Sequence, residues 1–448
     1  MGQTKDTARL RTLVSSHCLI LIKEAMDAAF KQFGSRDLPI ASGTVLVLEP
    51  SSQGNCTGQK RRLQEPDTPL ILRSIENALQ SSAAWNTARN VLQDYIDTTG
   101  VKAGGFFLHD TDDHYLWPML VSYLRDQNSF TYNPSYGRKA VGRLLKYLDL
   151  TDIPVFALIP LEGFSASRAF RLEQSIHIHP ITESEIRELG RTDYVAPPGR
   201  YRFPNPLCEN FPFPHSDWWI CEINLPNPRG SAEGFNMIHR LMELLTLALR
   251  TFKQGKFSVC VALSGPSGFY GRVGVSFNKT MQRYSHGGKP YALSESELRE
   301  FIRFWKGFRR IMDKEGHYLQ IPARRLRSAS TRREREDALV DYVIGLEALL
   351  GVEEERTELS YRFRIRGSVL LSKTRSARKG FINPLRELYD LRSRLVHGGK
   401  ITDTKLEAML PFAEDALRKV WRWFFRYWHD QNDNKKGVAQ IDEDLVGR

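Results

Sequence analysis

From Ala338 to Leu350 the chain reads Ala-Leu-Val-Asp-Tyr-Val-Ile-Gly-Leu-Glu-Ala-Leu-Leu, apolar almost all round apart from Asp341 and Glu347. Such a helix belongs at the centre of a bundle, so the flanking sequence must supply the surrounding helices. It does. Ser294-Glu-Ser-Glu297 is a capping box, serine at the cap and glutamate three residues on, and it opens a helix to about Lys314. Further helices are predicted over 322–350, 357–372, 381–397 and 402–430. The polar segment 432–448 is expected to be disordered.

Upstream of about residue 290 the periodicity is mixed. Helices are predicted over 8–33, 69–82, 86–98, 114–125, 137–148 and 232–252, and strands over 44–48, 155–160, 170–179, 218–225, 257–263 and 272–277. Residues 51–69, polar with Pro and Gly, read as a loop. A chain of 448 residues exceeds the single-core limit of about 250 to 300, so two domains are expected. The fold class is an α+β amino-terminal domain, 1–290, with a sensing or regulatory role, followed by an all-α bundle, 291–431. The boundary falls in the Gly287-Gly288-Lys289-Pro290 turn.

Five scattered cysteines, Cys18, Cys56, Cys208, Cys221 and Cys260, form no Cys-x-x-Cys pair, which points to reduced thiols and a cytoplasmic location. No segment reaches the roughly 18 apolar residues of a membrane span. The net charge of +12 suits a polyanionic partner. Residues 321–430 carry 23 Lys and Arg against 16 Asp and Glu, mostly arginine, whose planar fork matches phosphate oxygens. A solvated helical surface explains any individual arginine equally well.

Candidate chemistry concentrates in Leu388-Tyr-Asp-Leu-Arg-Ser-Arg-Leu-Val-His397-Gly-Gly-Lys400. Leu385, Leu388, Leu391 and Leu395 define a buried stripe, while Arg386, Asp390, Arg394 and His397 share another face. Gly398 and Gly399 end the helix, leaving His397 at a C-terminus where the macrodipole favours cations. Arg392 and His397 are about 140° apart on an ideal helix, so a long arginine, a loosened last turn or a second copy must bring them together. The bland alternative is a histidine capping carbonyls beside an arginine in an intramolecular ion pair. Glu347, a charge in an apolar run, needs a cation: Arg362, Arg366 or Arg392.

The segment Arg392-Ser393-Arg394-Leu395-Val396-His397 resembles the motif of the HEPN all-α superfamily, and within it the ApeA-like domains of bacterial proteins. Asp341 to Leu350 looks like the family's second-helix segment and Glu358 to Arg366 like its third, so the resemblance covers roughly 295–430. Residues 176–186 and 248–255 are only loosely similar to segments that precede such domains. The resemblance implies a metal-independent endoribonuclease, with no cofactor, acting as a homodimer and serving in anti-phage defence by abortive RNA cleavage. The RNA 2′-hydroxyl would attack its own phosphate, His397 transferring a proton and Arg392 stabilising the developing charge. Ser393, Glu347, Asp341, Arg362, Arg366 and Asp390 would support the site, and Arg386, Arg394 and Lys400 would hold RNA. The rivals are a non-catalytic RNA- or nucleotide-binding HEPN protein and a dimerisation scaffold.

Two clusters tempt a metal reading and neither is assigned one. His109-Asp-Thr-Asp-Asp-His114 reads as a polar loop before a helix, and His177-Ile-His179 places two imidazoles on one face of a strand. Gly265 to Gly271 lacks the Lys-Ser/Thr of a phosphate loop and reads as a hairpin turn.

Overall fold

The computed structural model describes all residues except 1, 38–39, 51–55, 67, 101–112, 128, 183–184, 186–218, 229–230, 232, 260–261, 269–270, 273–275, 279–288, 333, 353–357, 373 and 447–448. The chain divides into two compact units that alternate along the sequence. Met1–Leu158, Pro180–Ile238 and Ala262–Asn278 form one; Ile159–His179, His239–Val261 and Lys279–Arg448 form the other. The mixed α+β character expected upstream and the helical character expected downstream are both present.

The first unit is built on α1 (Gly2–Phe33), α2 (Thr68–Gln80), α3 (Ala83–Thr99), α4 (Asp113–Asp126) and α5 (Pro134–Leu148). Their apolar faces close a core that includes Cys18, Leu21, Trp85, Trp117 and Leu144, the two indoles 4.7 Å apart. Asp149, just past α5, accepts from Arg11 at 2.6 Å and from the Tyr95 hydroxyl at 3.0 Å, which ties α1 and α3 to that helix end. Most of the predicted 51–69 loop is instead a strand, since β1 (Ile40–Pro50) and β2 (Cys56–Pro66) pair antiparallel along their full length. Such pairing draws on backbone groups, so polar composition alone does not exclude it. The unit also holds β7 (Trp219–Leu225). The start of β3 (Val155–Glu162) pairs here with β9 (Ala262–Gly268), which in turn pairs with β10 (Gly271–Arg272) and β11 (Ser276–Asn278). Gly268 pairs with Gly271, but the segment expected as a hairpin turn from Gly265 lies in β9 as far as Gly268, and 269–270 fall outside the described residues.

In the second unit the end of β3 pairs with β8 (Ser258–Val259), β4 (Phe164–Ala166) runs parallel to β12 (Tyr291–Leu293), and β5 (Phe170–Glu173) pairs antiparallel with β6 (Ile176–Pro180). Its helices are α6 (Glu233–Phe252) from His239 onward, α7 (Glu295–Asp313), α8 (Gln320–Thr331), α9 (Arg335–Leu350), α10 (Leu359–Leu371), α11 (Arg375–Val396), α12 (Asp403–Trp428) and α13 (Lys435–Val446). The capping box of α7 forms: Ser294 Oγ accepts from Glu297 N–H and the Glu297 carboxylate accepts from Ser294 N–H. The apolar α9 is central, packed against α8, α10, α11 and α12. It approaches α12 so closely that a Cβ at Gly345 would lie 2.7 Å from Leu417 Cδ2.

Three sequence expectations need correction here. The helix predicted over 322–350 is two helices, broken at Arg332, which turns extended and, with Arg325, ion-pairs buried Asp341 at 2.8 and 2.7 Å. The tail is not disordered: α13 buries Val438 and Ile441, and its Asp442 takes a bidentate pair from Arg366. The division at 290 also moves, because 159–179 and 239–261 belong with the bundle. The cause lies at the end of α6, where the carbonyls of Leu249, Arg250 and Phe252 accept from the Tyr291 hydroxyl, Arg418 Nε and Arg422 at 2.7 to 2.8 Å. Those donors satisfy orphan carbonyls, and two of them bring positive charge to the negative end of the helix dipole. Among the described residues no helix is long and apolar enough to cross a membrane.

Candidate functional site

α11 starts at Thr374, whose hydroxyl accepts from Ala377 N–H. Its leucine stripe is anchored by Leu385, Leu388 and Leu391, at most 2% exposed; Leu395, in the last turn, is half-buried. The stripe seats against α10, where a Cβ on Gly367 would lie 2.9 Å from Leu385 Cδ1. That packing fixes how the remaining faces of α11 point.

The helix ends as the two glycines require. His397 is the C-cap, Gly398 adopts φ +77°, Gly398 N–H donates to Leu395 O at 3.0 Å, and Gly399 N–H donates to Arg394 O at 2.8 Å. These are the two hydrogen bonds of a Schellman motif. A side chain on Gly399 would collide with Arg394 Cγ. Ser393, half-buried, accepts His397 N–H on its carbonyl at 3.2 Å. The imidazole of His397 is exposed and makes no side-chain hydrogen bond or ion pair among the described residues, so the ring itself caps no carbonyl.

Arg392 points the other way. It is half-buried, with a terminal nitrogen 3.4 Å from Glu347 Oε2 on α9, and its Nε is shielded and unpartnered among the described residues. Burial pushes the Glu347 carboxyl above its ordinary range, against the pull of the Arg392 guanidinium. Of the three cations that could answer Glu347, the fold brings Arg392 to it. Arg366 is 3% exposed and engaged by Asp442 and by Leu350 O at 2.8 Å; Arg362 is half-buried. Asp341, expected to support the site, is instead held by Arg325 and Arg332 at the α8–α9 break. No hydrogen bond joins Arg392 to His397 among the described residues.

Arg386, Asp390, Arg394 and Lys400 are exposed and form no ion pair among the described residues. Sequence reading missed Lys379 and Asn383, exposed on the same line of α11, although their spacing of seven and three before Arg386 was readable. It also overcounted free arginines. Arg335 pairs with Glu407, Arg418 with buried Glu414, and Arg422 with Glu300, so much of the arginine excess is internal bracing.

His177 and His179 do share one face of β6, their rings 4.5 Å apart and half-buried, which supplies two ligands of the type a metal centre uses. The 109–114 cluster lies outside the described residues apart from the first turn of α4, whose side chains at 113 and 114 are likewise not described. Cys18 and Cys221 are buried free thiols, and burial pushes the Cys18 thiol up to about 12. No family model matches the chain, and no match is found among curated proteins or among solved structures.

Proposed function

We propose that the second unit carries a HEPN-type, metal-independent endoribonuclease site centred on Arg392 and His397. One observation carries the reading: the end of α11 presents an exposed imidazole, unengaged among the described residues, five positions from a half-buried guanidinium held at one terminal nitrogen by Glu347. The first can move a proton, and the second can donate to phosphate oxygens. Beside them runs the exposed face of Lys379, Arg386, Arg394 and Lys400, a track for an RNA backbone.

In this mechanism the RNA 2′-hydroxyl attacks the adjacent phosphorus, the 5′-oxygen leaves, and a 2′,3′-cyclic phosphate forms. His397 transfers a proton, and Arg392 stabilises the charge that develops on the phosphoryl oxygens. Glu347 acts through Arg392 as a positioning residue, holding it from the α9 side. Because the two side chains diverge around the helix, the working site pairs two α11 ends across a two-fold axis, the commonest symmetry of identical chains. The biological setting we propose is anti-phage defence in the cytoplasm.

A second reading has its own support. With no hydrogen bond between Arg392 and His397, the same face would serve an RNA-binding protein that does not cut. The two separate when purified protein is incubated with total RNA in EDTA and product ends are mapped. We expect 2′,3′-cyclic phosphate or 3′-phosphate ends, no cleavage of DNA, and loss of cleavage with retained binding in His397→Ala. Activity abolished by chelation and restored by Mg²⁺ or Mn²⁺ would overturn the proposal.

A further inference from the structure

The apolar side of α7, including Phe301, Trp305 and Phe308, is buried within its unit. On the opposite side stand Arg299, Arg303, Lys306 and Arg310, all exposed. Their spacings of four, three and four return them to an arc of about 60°, a single row along roughly 16 Å of helix. Arg299 reaches Glu295 only at 4.0 Å. Arg303, Lys306 and Arg310 have no carboxylate within ion-pair distance among the described residues. The acids nearby are engaged elsewhere: Glu300 by Arg422, and Asp313 by Arg309 and Arg240.

Like charges three and four residues apart repel along a helix. A face that needed only solvation would be better served by mixed charge, as α12 and α11 manage with Lys405 against Glu387 at 2.7 Å. The row therefore opposes the stability of α7, and a polyanion would relieve it. We infer that it is a docking track for the phosphate backbone of RNA, separate from the α11 face. Three of its four members are arginines, whose forks suit phosphate oxygens. The row itself carries no aromatic side chain, so contact is to the backbone without reading bases. A lipid surface fits poorly, because the apolar side that would insert is already buried in the protein.

This inference rests on RNA being the ligand of the unit, and its test is independent of cleavage. Binding of full-length protein to fluorescein-labelled single-stranded 2′-O-methyl RNA, which lacks the attacking hydroxyl, is followed by anisotropy across a salt series in EDTA. The R303A/K306A/R310A variant should bind more weakly, its slope of log affinity against log salt shallower by about 2, roughly 0.7 for each lost phosphate contact on a single strand. The charge-conserving R303K/K306R/R310K variant should keep the wild-type slope. The alanine variant should also melt no lower than wild type, since repulsion has been removed. An unchanged slope overturns the track, as does wild-type protein that binds an acidic peptide but not RNA. If the slope falls while wild-type protein cuts no RNA, the track stands and the nuclease reading fails.

Discussion

Asp442 accepts two hydrogen bonds from Arg366, one from Nε at 2.8 Å and one from a terminal nitrogen at 2.6 Å, and Arg366 is 3% exposed. The last helix thus neutralises a cation buried in α10. Asn434, at the entry to α13, adds amide hydrogen bonds to Leu349 O and Gly351 O at 3.0 and 2.6 Å, at the end of the helix that carries Glu347. Asp442→Ala should destabilise by about 1.5 to 3 kcal/mol, the range for hydrogen bonds to a charged group. Deleting 432–448 should cost more, since Val438 and Ile441 leave their sites. Urea unfolding of the three proteins decides; an unshifted midpoint in the deletion would mean the helix is not docked.

His397→Ala and Arg392→Ala should each abolish RNA cleavage. Exposed His397 should do so with a stability change within about 0.5 kcal/mol. Leu391→Ala, on the buried stripe, should destabilise by about 2 to 5 kcal/mol. Circular dichroism melts beside a cleavage assay separate chemistry from folding, and a fully active His397→Ala protein removes the catalytic assignment.

Glu347 sets a pH dependence of definite sign. Its folded carboxyl is raised above 4.5, burial outweighing Arg392, so the native state holds the proton more tightly than the unfolded chain. Its favourable contribution is present below 4.5 and is lost as pH rises through the raised value. Glu347→Gln cannot ionise. Relative to wild type, its melting temperature should gain as pH climbs from 4.5 through the raised value and level off above it, and a constant difference across that range would refute the assignment.

Gly398 sits at φ +77°, a region that penalises other residues by about 1 to 2 kcal/mol. Gly398→Ala should therefore destabilise by that amount and also lower cleavage, because the motif it closes fixes the C-cap His397. Comparing its cleavage with that of a stability-matched variant in the first unit, such as Leu92→Val, isolates the local effect; equal activities would show that the cap does not orient the site.

A dimeric site makes a further prediction. If each site draws its arginine and histidine from different chains, mixing Arg392→Ala with His397→Ala protein should restore about a quarter to a half of the activity through one composite site. Sedimentation that finds a monomer cutting RNA at the wild-type rate would rule the dimer out.

What could be read from residues alone followed physical range. The leucine stripe, the Ser294–Glu297 box and the glycine stop depend on neighbours within a few positions, and all three formed. The need of Glu347 for a cation was legible from its apolar run, and its partner was narrowed to three; choosing Arg392 required the packing of α11 on α9. Asp341 was drawn to the site by motif position, yet its partners lie on the preceding helix, joined across a break that no periodicity marks. α13 was missed because its two buried apolar residues sit in a polar sequence, and what docks it comes from Arg366, 76 positions away.

The cap on α6 also orders events in time. Phe252 O waits for Arg422, which is 170 residues downstream. At synthesis rates of about 5 to 20 residues per second that interval is roughly 10 to 30 s, during which the α6 terminus has no final partner. The second unit therefore cannot mature while the ribosome is still extending α12, and a nascent chain halted before that helix should hold α6 open to proteases and chaperones.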